Sequence, residues 1–311
     1  MSKKSKIWLI AAVLFMLVGV IIFTGVMSML KWDFKALNTT ECENNTYTVS
    51  EQFKNISINT LTADVLFIKS DDDTCKVECV ERPKEKHTVK VKDQTLNINV
   101  EDSRKWYDHI TFLGFAEPQI KVYLPQEQYG SLVININTGD IEIPKEFTFD
   151  GIDIKGTTGD ANCKASVIND LKIELTTGKT QLENITARNI ELKASTGDTY
   201  LTNVNCDSLS SRAVTGHIKL KNVDAGKKLS IKRSIGDVKF QECDADEIFV
   251  NTNTGNVEGS LCTSKIFVCK TNTGKMSVPP TTEGGKCEII TNTGDITISV
   301  KKNMTSGYCI R

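Results

Sequence analysis

Five aspartates stand immediately after a glycine at near-constant spacing: Asp140, Asp160, Asp198, Asp237 and Asp295. Stacked carboxylates of this kind could hold calcium, as the glycine–aspartate turns of calcium-binding β-rolls do. The same column also carries Lys179, His217, Asn256 and Lys275. Cations at ligand positions oppose a metal ladder, and the alternation of Lys179, Asp198, His217 and Asp237 relieves repulsion between like charges. The column therefore points to turn chemistry, in which short polar side chains hydrogen-bond nearby backbone, and no metal or other cofactor is expected. Other chemistry has less support. His87, His109 and His217 are scattered, with neither zinc-ligand spacing nor a nucleophile beside a histidine. Acidic residues are spread along columns instead of converging as polysaccharide cleavage requires, and Arg188, Arg212 and Arg233 fall at different places in the repeat. No catalytic residues are assigned, and the chain is not expected to be an enzyme.

The spacing belongs to the element that carries these residues. Gly139, Gly159, Gly178, Gly197, Gly216, Gly236, Gly255, Gly274 and Gly294 lie 19 or 20 residues apart, and a threonine precedes all but Gly236. Around each glycine apolar residues alternate with polar ones, the period-two pattern of strands with one buried face. Seven residues before the glycine stand Ile152, Leu171, Ile190, Leu209, Leu229, Ile248, Phe267 and Cys287; four after it stand Ile143, Cys163, Leu182, Leu201, Leu220 and Phe240. Such a unit is too short for a propeller blade of about 40 residues. It fits one coil of a solenoid, each strand pairing with its counterpart about 4.8 Å away. The sequence predicts an all-β chain: a single-stack β-solenoid (β-helix) of about nine to ten coils, preceded by an N-terminal transmembrane helix and a β-rich cap. Glycine recurs because every coil turns the same corner, through backbone angles that residues with a Cβ adopt at a cost.

Residues 7–30, IWLIAAVLFMLVGVIIFTGVMSML, are uncharged and mostly apolar. As a helix they reach about 36 Å, enough for a bilayer core of about 30 Å. A cleaved signal peptide is the competing reading, but the run exceeds the usual apolar length of about 7–15 residues and lacks an A-x-A-like site. Lys3, Lys4 and Lys6 precede it, and Lys31 and Lys35 with Asp33 follow it, a bias that favours the N-terminus inside. The expected order is a cytoplasmic N-terminus (1–6), a transmembrane helix (7–30), a β cap with a degenerate first coil (31–130) and the solenoid (131–311). The product is a single-pass protein of the cell membrane with an extracytoplasmic body. A formal net charge of −1 without a basic stripe sets nucleic acid aside as a partner.

Ten cysteines in an exported chain would ordinarily suggest disulfides. Cys75 and Cys79, four apart on a strand, would lie about 13 Å apart and cannot pair with each other. Cys163, Cys269 and Cys287 replace Ile, Leu or Phe in inward columns and read as small buried hydrophobes. Cys243 and Cys262 occupy equivalent places in adjacent coils, where either a disulfide or simple packing is open. So many thiols outside a membrane suggest a reducing or anaerobic habitat.

Trp106, Tyr107, Phe112 and Phe115 in WYDHITFLGF read as packing within the cap, or else as an exposed partner surface. At the other end, Lys301 and Lys302 follow the strand ITISV as guards against edge pairing; incomplete guarding would allow a homo-oligomer through the solenoid ends. The T-G-D/N/K turns, the membrane anchor, the opening NISINTLTADVLFIKSDDD and the strand KVYLP together resemble the bacterial "putative adhesin" family, a family of unknown function with β-strand repeats, over roughly residues 37–300. The resemblance implies a binding or scaffolding role at a Gram-positive cell envelope and brings no catalytic residues. Its implied partners are the membrane through residues 7–30, cell wall or a host ligand, and envelope-stress membrane proteins.

Overall fold

The computed structural model describes residues 3–32, 42–72, 74–104 and 118–301. The chain opens with α1 (Lys3–Met29), whose stretch Ser5–Met29 is long and apolar enough to cross a membrane or to act as a signal helix. Side chains such as Trp8 and Phe15 are exposed, and the helix is apolar on all sides.

Seven strands build the N-terminal end: β1 (Glu43–Val49), β2 (Asn55–Thr62), β3 (Asp64–Lys69), β4 (Cys75–Glu81), β5 (Glu85–Lys92), β6 (Thr95–Asp102) and β7 (Gln119–Leu124). The repeat follows as β8 (Gln128–Thr138), β9 (Ile141–Ile143), β10 (Thr148–Thr158), β11 (Ala161–Cys163), β12 (Ser166–Val167), β13 (Asp170–Thr177), β14 (Thr180–Thr196) and β15 (Thr199–Thr215). It continues as β16 (Ile218–Asp224), β17 (Lys228–Ile235), β18 (Val238–Cys243), β19 (Glu247–Thr254), β20 (Val257–Leu261), β21 (Lys265–Thr273), β22 (Met276–Ser277), β23 (Gly285–Thr293) and β24 (Ile296–Val300).

These strands form a β-solenoid, and the predicted inward column is its register. Leu132 pairs with Ile152, then in turn come Leu171, Ile190, Leu209, Leu229, Ile248 and Cys287, all in parallel. Each is buried. Alternate residues point outward, so one face of every strand is solvated, as in the pattern of β13.

At the corner, all nine glycines have φ between +137° and +155°. A Cβ on Gly197 would lie 1.8 Å from the carbonyl oxygen of Gly178, and the equivalent contacts in the other coils are 1.9–2.3 Å. Two constraints therefore coincide, a left-handed backbone and a neighbouring coil pressed against the absent side chain. A second corner uses asparagine instead. Asn184, Asn203 and Asn222 have φ of 57°, 55° and 52°, and their side chains stack, Asn203 Nδ2 donating to Asn184 Oδ1 at 2.9 Å and Asn222 Nδ2 to Asn203 Oδ1 at 3.0 Å.

Both ends depart from simple serial stacking. β2 and β3 lie against β8 and β9 on one side and against β6 and β7 on the other. Beyond them β5 pairs with β6, β4 with β7 and β1 with β4, all antiparallel. The β5–β6 hairpin closes at Asp93 and Gln94, with φ of 50° and 56°, the two-residue turn whose twist matches its strands. At the C-terminal end the last coil in sequence is not the last in space. β23 lies between β19 and β21, and β24 between β20 and β22. The expectation that ITISV is the terminal strand is thus corrected: among the described strands β21 and β22 are outermost, and Lys301 forms an ion pair with Glu242 of an interior coil. Lys302 lies outside the described residues.

Gly197→Ala should lower stability by more than about 2 kcal/mol. Gly226, whose added Cβ would meet its nearest neighbour at an ordinary 3.4 Å, is the control: Gly226→Ala should be neutral or stabilising by up to about 1 kcal/mol. Denaturant melts of the two variants test the pair, and equal losses would contradict the corner argument.

Candidate functional site

The aspartate column serves the backbone. Asp64 Oδ1 accepts from the amide of Asp140 at 2.8 Å, Asp140 Oδ1 from Asp160 at 2.7 Å, and Asp160 Oδ1 from Lys179 at 2.7 Å. Farther along, Asp198 Oδ1 accepts from His217, Asp237 Oδ1 from Asn256 and Asp295 Oδ1 from Lys275. His217 and Asn256 act as acceptors in the same manner, through Nδ1 to Asp237 and Oδ1 to Asp295. Each of these acceptors thus satisfies an amide of the next coil, which accounts for Asp, Asn and His sharing the column, while Lys179 and Lys275 enter it only as backbone donors. Asp64 belongs to this ladder although Ala63, not glycine, precedes it, so the glycine spacing does not mark it.

The cysteines mostly behave as core. Cys163 and Cys287 are buried, whereas Cys269, on the outermost coil, is half-buried. Burial raises the thiol pKa to about 12 at Cys75, Cys79, Cys163, Cys206 and Cys287 and to about 11 at Cys243. Cys243 is a free thiol and Cys262 is disulfide-bonded, so these two do not pair with each other.

One buried cluster escaped the sequence reading. Cys79 Sγ, a Glu81 carboxylate oxygen and a His87 ring nitrogen lie within 4.8 Å of one another, donor types that could hold a metal ion. Cys79 and Glu81 sit two apart on β4 while His87 comes from β5, a juxtaposition that no local spacing signals. The carboxylate of Glu81 and the imidazole of His87 have protein partners. Glu81 Oε2 lies 2.6 Å from the His87 amide and 2.8 Å from His87 Nδ1; Asn45 donates to Glu81 Oε1, and His87 Nε2 meets Thr60 Oγ1 at 2.9 Å. With all three residues at most 3% exposed, a dissolved substrate has no route to them. Arg233 is similarly enclosed, donating to Ser211 Oγ at 2.9 Å and Thr199 Oγ1 at 3.3 Å. Desolvation lowers its pKa to about 10.

The open surface offers a different site. On the outward face of β14, β15 and β16 a shallow groove of about 370 Å³ is lined by Lys179, Gln181, Tyr200, Thr202, Lys219 and Lys221. Parallel register places Gln181 beside Tyr200 and Tyr200 beside Lys219, with Thr202 beside Lys221. Lys219 and Lys221 are two residues apart on one strand and share a face. Lys179 has an exposed partner in Asp160 at 3.3 Å, a pairing of little energy in water; the six lining residues include no carboxylate, though the Tyr200 hydroxyl donates to Asp198 Oδ2 at 3.2 Å. Compact ammonium groups beside an aromatic face suit an anion carried on a sugar or other polymer. A second groove, about 480 Å³, opens between β1 and β5 and is lined by both Lys90 and Glu51, without such a charge bias. Trp106, Tyr107, Phe112 and Phe115, the sequence's candidate partner surface, lie outside the described residues.

The family profile described as Toastrack DUF4097 matches residues 53–299. A search of curated proteins gives no match. Among solved structures, a "putative adhesin" from Bacteroides fragilis is 16% identical, covering 84% of this chain and 97% of its own, with a TM-score of 0.45. A "putative adhesin" from Parabacteroides merdae is 12% identical, covering 84% and 98%, with a TM-score of 0.42. A "putative lipid binding protein" from Parabacteroides distasonis is 16% identical, covering 71% and 97%, with a TM-score of 0.30.

Two measurements follow. Asp160→Ala should cost about 1 kcal/mol through the lost hydrogen bond, with a melting temperature indifferent to calcium or chelator; calcium-dependent stabilisation would show that the column binds metal. In native protein at pH 8, Cys42 and Cys269, the half-buried described thiols, should be alkylated well before Cys75, Cys163, Cys206 and Cys287, as peptide mapping would show.

Proposed function

The chain belongs to the Toastrack DUF4097 family, and from that premise we propose that it is a membrane-anchored, extracytoplasmic β-solenoid acting as a binding module for anionic polymers of the cell surface. The carrying observation is the cationic groove at Lys179, Tyr200, Lys219 and Lys221, held on a rigid face of a chain whose net charge is only −1. Supporting it is α1, long and apolar enough to anchor the solenoid in a membrane. The names of the similar structures agree with a binding role but add no weight at these TM-scores. The reading assigns no catalysis: the groove holds cations, an aromatic ring and neutral polar groups, and the buried histidine–carboxylate pair is sealed from solvent.

Binding through such a groove is mostly electrostatic and should weaken as salt rises. Full-length protein in detergent is expected to bind heparin or poly-L-glutamate at low ionic strength, and Lys219→Glu with Lys221→Glu should weaken binding by about tenfold or more. Absence of binding, or binding unchanged in that variant, would remove the groove from the account. Protease treatment of intact cells tests location: loss of the region after residue 31, with a cytoplasmic control preserved, is the expected result.

A further inference from the structure

Three side chains of metal-ligating type converge inside the N-terminal strands. Cys79 and Glu81 are two apart on β4 and both point inward, as does His87 on β5. Among the described residues β4 and β5 share no ladder beyond a bridge at Arg82 and Glu85; β4 lies between β1 and β7, and β5 beside β6. The turn between them therefore folds one inward face onto the other. Cys79 Sγ, a Glu81 oxygen and a His87 ring nitrogen come within 4.8 Å of one another, with Cys79 and Glu81 fully buried.

Charge sets this cluster apart from ordinary core. Among the described residues the only ion-pair partner of Glu81 is His87; the nearby Lys86 is taken by Glu43, and Arg82 by Glu85. A neutral imidazole beside Glu81 leaves an uncompensated carboxylate in the core, which is costly. A protonated His87 balances it but gives the free thiol of Cys79 no part. A divalent ion held by a thiolate, a carboxylate and a neutral imidazole leaves no net charge and uses all three. The surroundings suit ligands as well. Glu81 Oε1 accepts from Asn45 Nδ2 at 2.6 Å and Glu81 Oε2 from the His87 amide at 2.6 Å, while His87 Nε2 lies 2.9 Å from Oγ1 of the buried Thr60. Ligating histidines and carboxylates are usually fixed by such outer hydrogen bonds.

We propose that Cys79, Glu81 and His87 form a structural site for one divalent transition-metal ion, zinc by preference, bound through Cys79 Sγ, the Glu81 carboxylate and His87 Nδ1. The metal class follows from the donors: thiolate and imidazole suit zinc, whereas calcium and magnesium take oxygen. Nδ1 and Glu81 Oε2, 2.8 Å apart, separate slightly to share the ion, and Nε2 keeps the ring proton and donates it to Thr60. The second oxygen of Glu81 completes the four contacts that structural zinc prefers. The Cys79 thiol gives its proton to solvent as the ion binds. Burial makes the role structural: the ion ties β4 to β5 where no ladder does, and loads as the hairpin folds. The site lies in the N-terminal strands and the cationic groove on β14, β15 and β16, so neither reading rests on the other.

Full-length protein purified in detergent with zinc chloride in the buffers, then gel-filtered without it, should carry about one zinc ion per chain by elemental analysis. X-ray absorption at the zinc edge should show one sulfur at about 2.3 Å, with nitrogen and oxygen at about 2.0–2.2 Å. Cobalt in place of zinc should give the charge-transfer band of a thiolate-bound ion, lost in Cys79→Ser and kept in Cys75→Ser. Chelator competition should find zinc affinity lowered by about a hundredfold or more in Cys79→Ser, and by about tenfold in Thr60→Val, where only the ring's outer contact is lost. A chain that holds no zinc after gel filtration overturns the proposal and leaves a hydrogen-bonded histidine–glutamate pair. A cobalt band indifferent to Cys79 overturns it too. Should Cys79→Ser fail to fold, the absorption spectrum of the unaltered protein decides: a zinc shell with no sulfur, or with more than one, places the ion elsewhere.

Discussion

The contact between one glycine corner and the carbonyl of the next governs this protein. Because the neighbouring carbonyl oxygen would lie only 1.8–2.3 Å from a corner Cβ, successive coils can approach to the ordinary strand separation only where that atom is missing. Once they do, every other residue is brought into line with its equivalents one coil away. The inward columns then fill continuously with Ile, Leu and Val, and the outward residues fall into rows. An acceptor placed after the glycine meets an amide of the next coil, which is why aspartate, asparagine and histidine can share that job. The same spacing brings Tyr200 beside Lys219 on the outer face. The cationic groove is thus a by-product of stacking, adjustable by changing outward residues without disturbing the core.

Regular stacking also makes the ends unlike the middle. An interior coil has its backbone groups paired on both sides and its core residues covered above and below. A terminal coil lacks one set of each, and the chain deals with its two ends differently. At the N-terminal end, β4 and β5 run antiparallel to the strands they adjoin, and β1 pairs antiparallel with β4. At the other end, β23 and β24 are threaded behind β21 and β22, so the outermost of the described strands carries the apolar run Ile266, Phe267, Val268, Cys269. The cost of an open edge is the missing partner for amides and carbonyls, and no charged side chain on β21 beyond Lys270 and the buried Lys265 offsets it.

Much of the fold was legible because its determinants are local and repeated. Glycine spacing gave the coil, period-two alternation gave the buried face, and the register seen from Leu132 to Ile248 follows the sequence columns. The asparagine corner was equally available at six residues after Gly178, Gly197 and Gly216, but asparagine at a polar position draws less attention than an invariant glycine. What could not be read was long-range. Nothing in TNTGDITISV says that it slides between two earlier coils, since its columns match those of any neighbour. The Cys79, Glu81 and His87 cluster depends on two strands meeting across the core. The groove is similar in kind: Lys179, Tyr200 and Lys219 are 19 to 21 residues apart and become neighbours only through stacking.

That interchangeability raises the question of what selects one stacking order among near-equivalent ones. Apolar columns discriminate poorly, because an isoleucine on one coil packs nearly as well against the valine or leucine of another. The contacts that do discriminate are the few that do not repeat. Arg233 occupies a position filled by alanine at Ala194 and Ala213 and reaches Ser211 and Thr199 in the coils behind it; shifting its coil would leave a guanidinium in an apolar core. Lys265 needs Asp244 in the same way. Such pairs add little net stability, since desolvation offsets much of their attraction, but breaking them leaves a buried charge without a partner. Pro279, Pro280 and the loop to Gly285 supply the reach that lets β23 double back, with Thr281 Oγ1 donating to the carbonyl of Lys265. The repeated residues therefore decide that coils stack, and the exceptions decide which coil stacks on which.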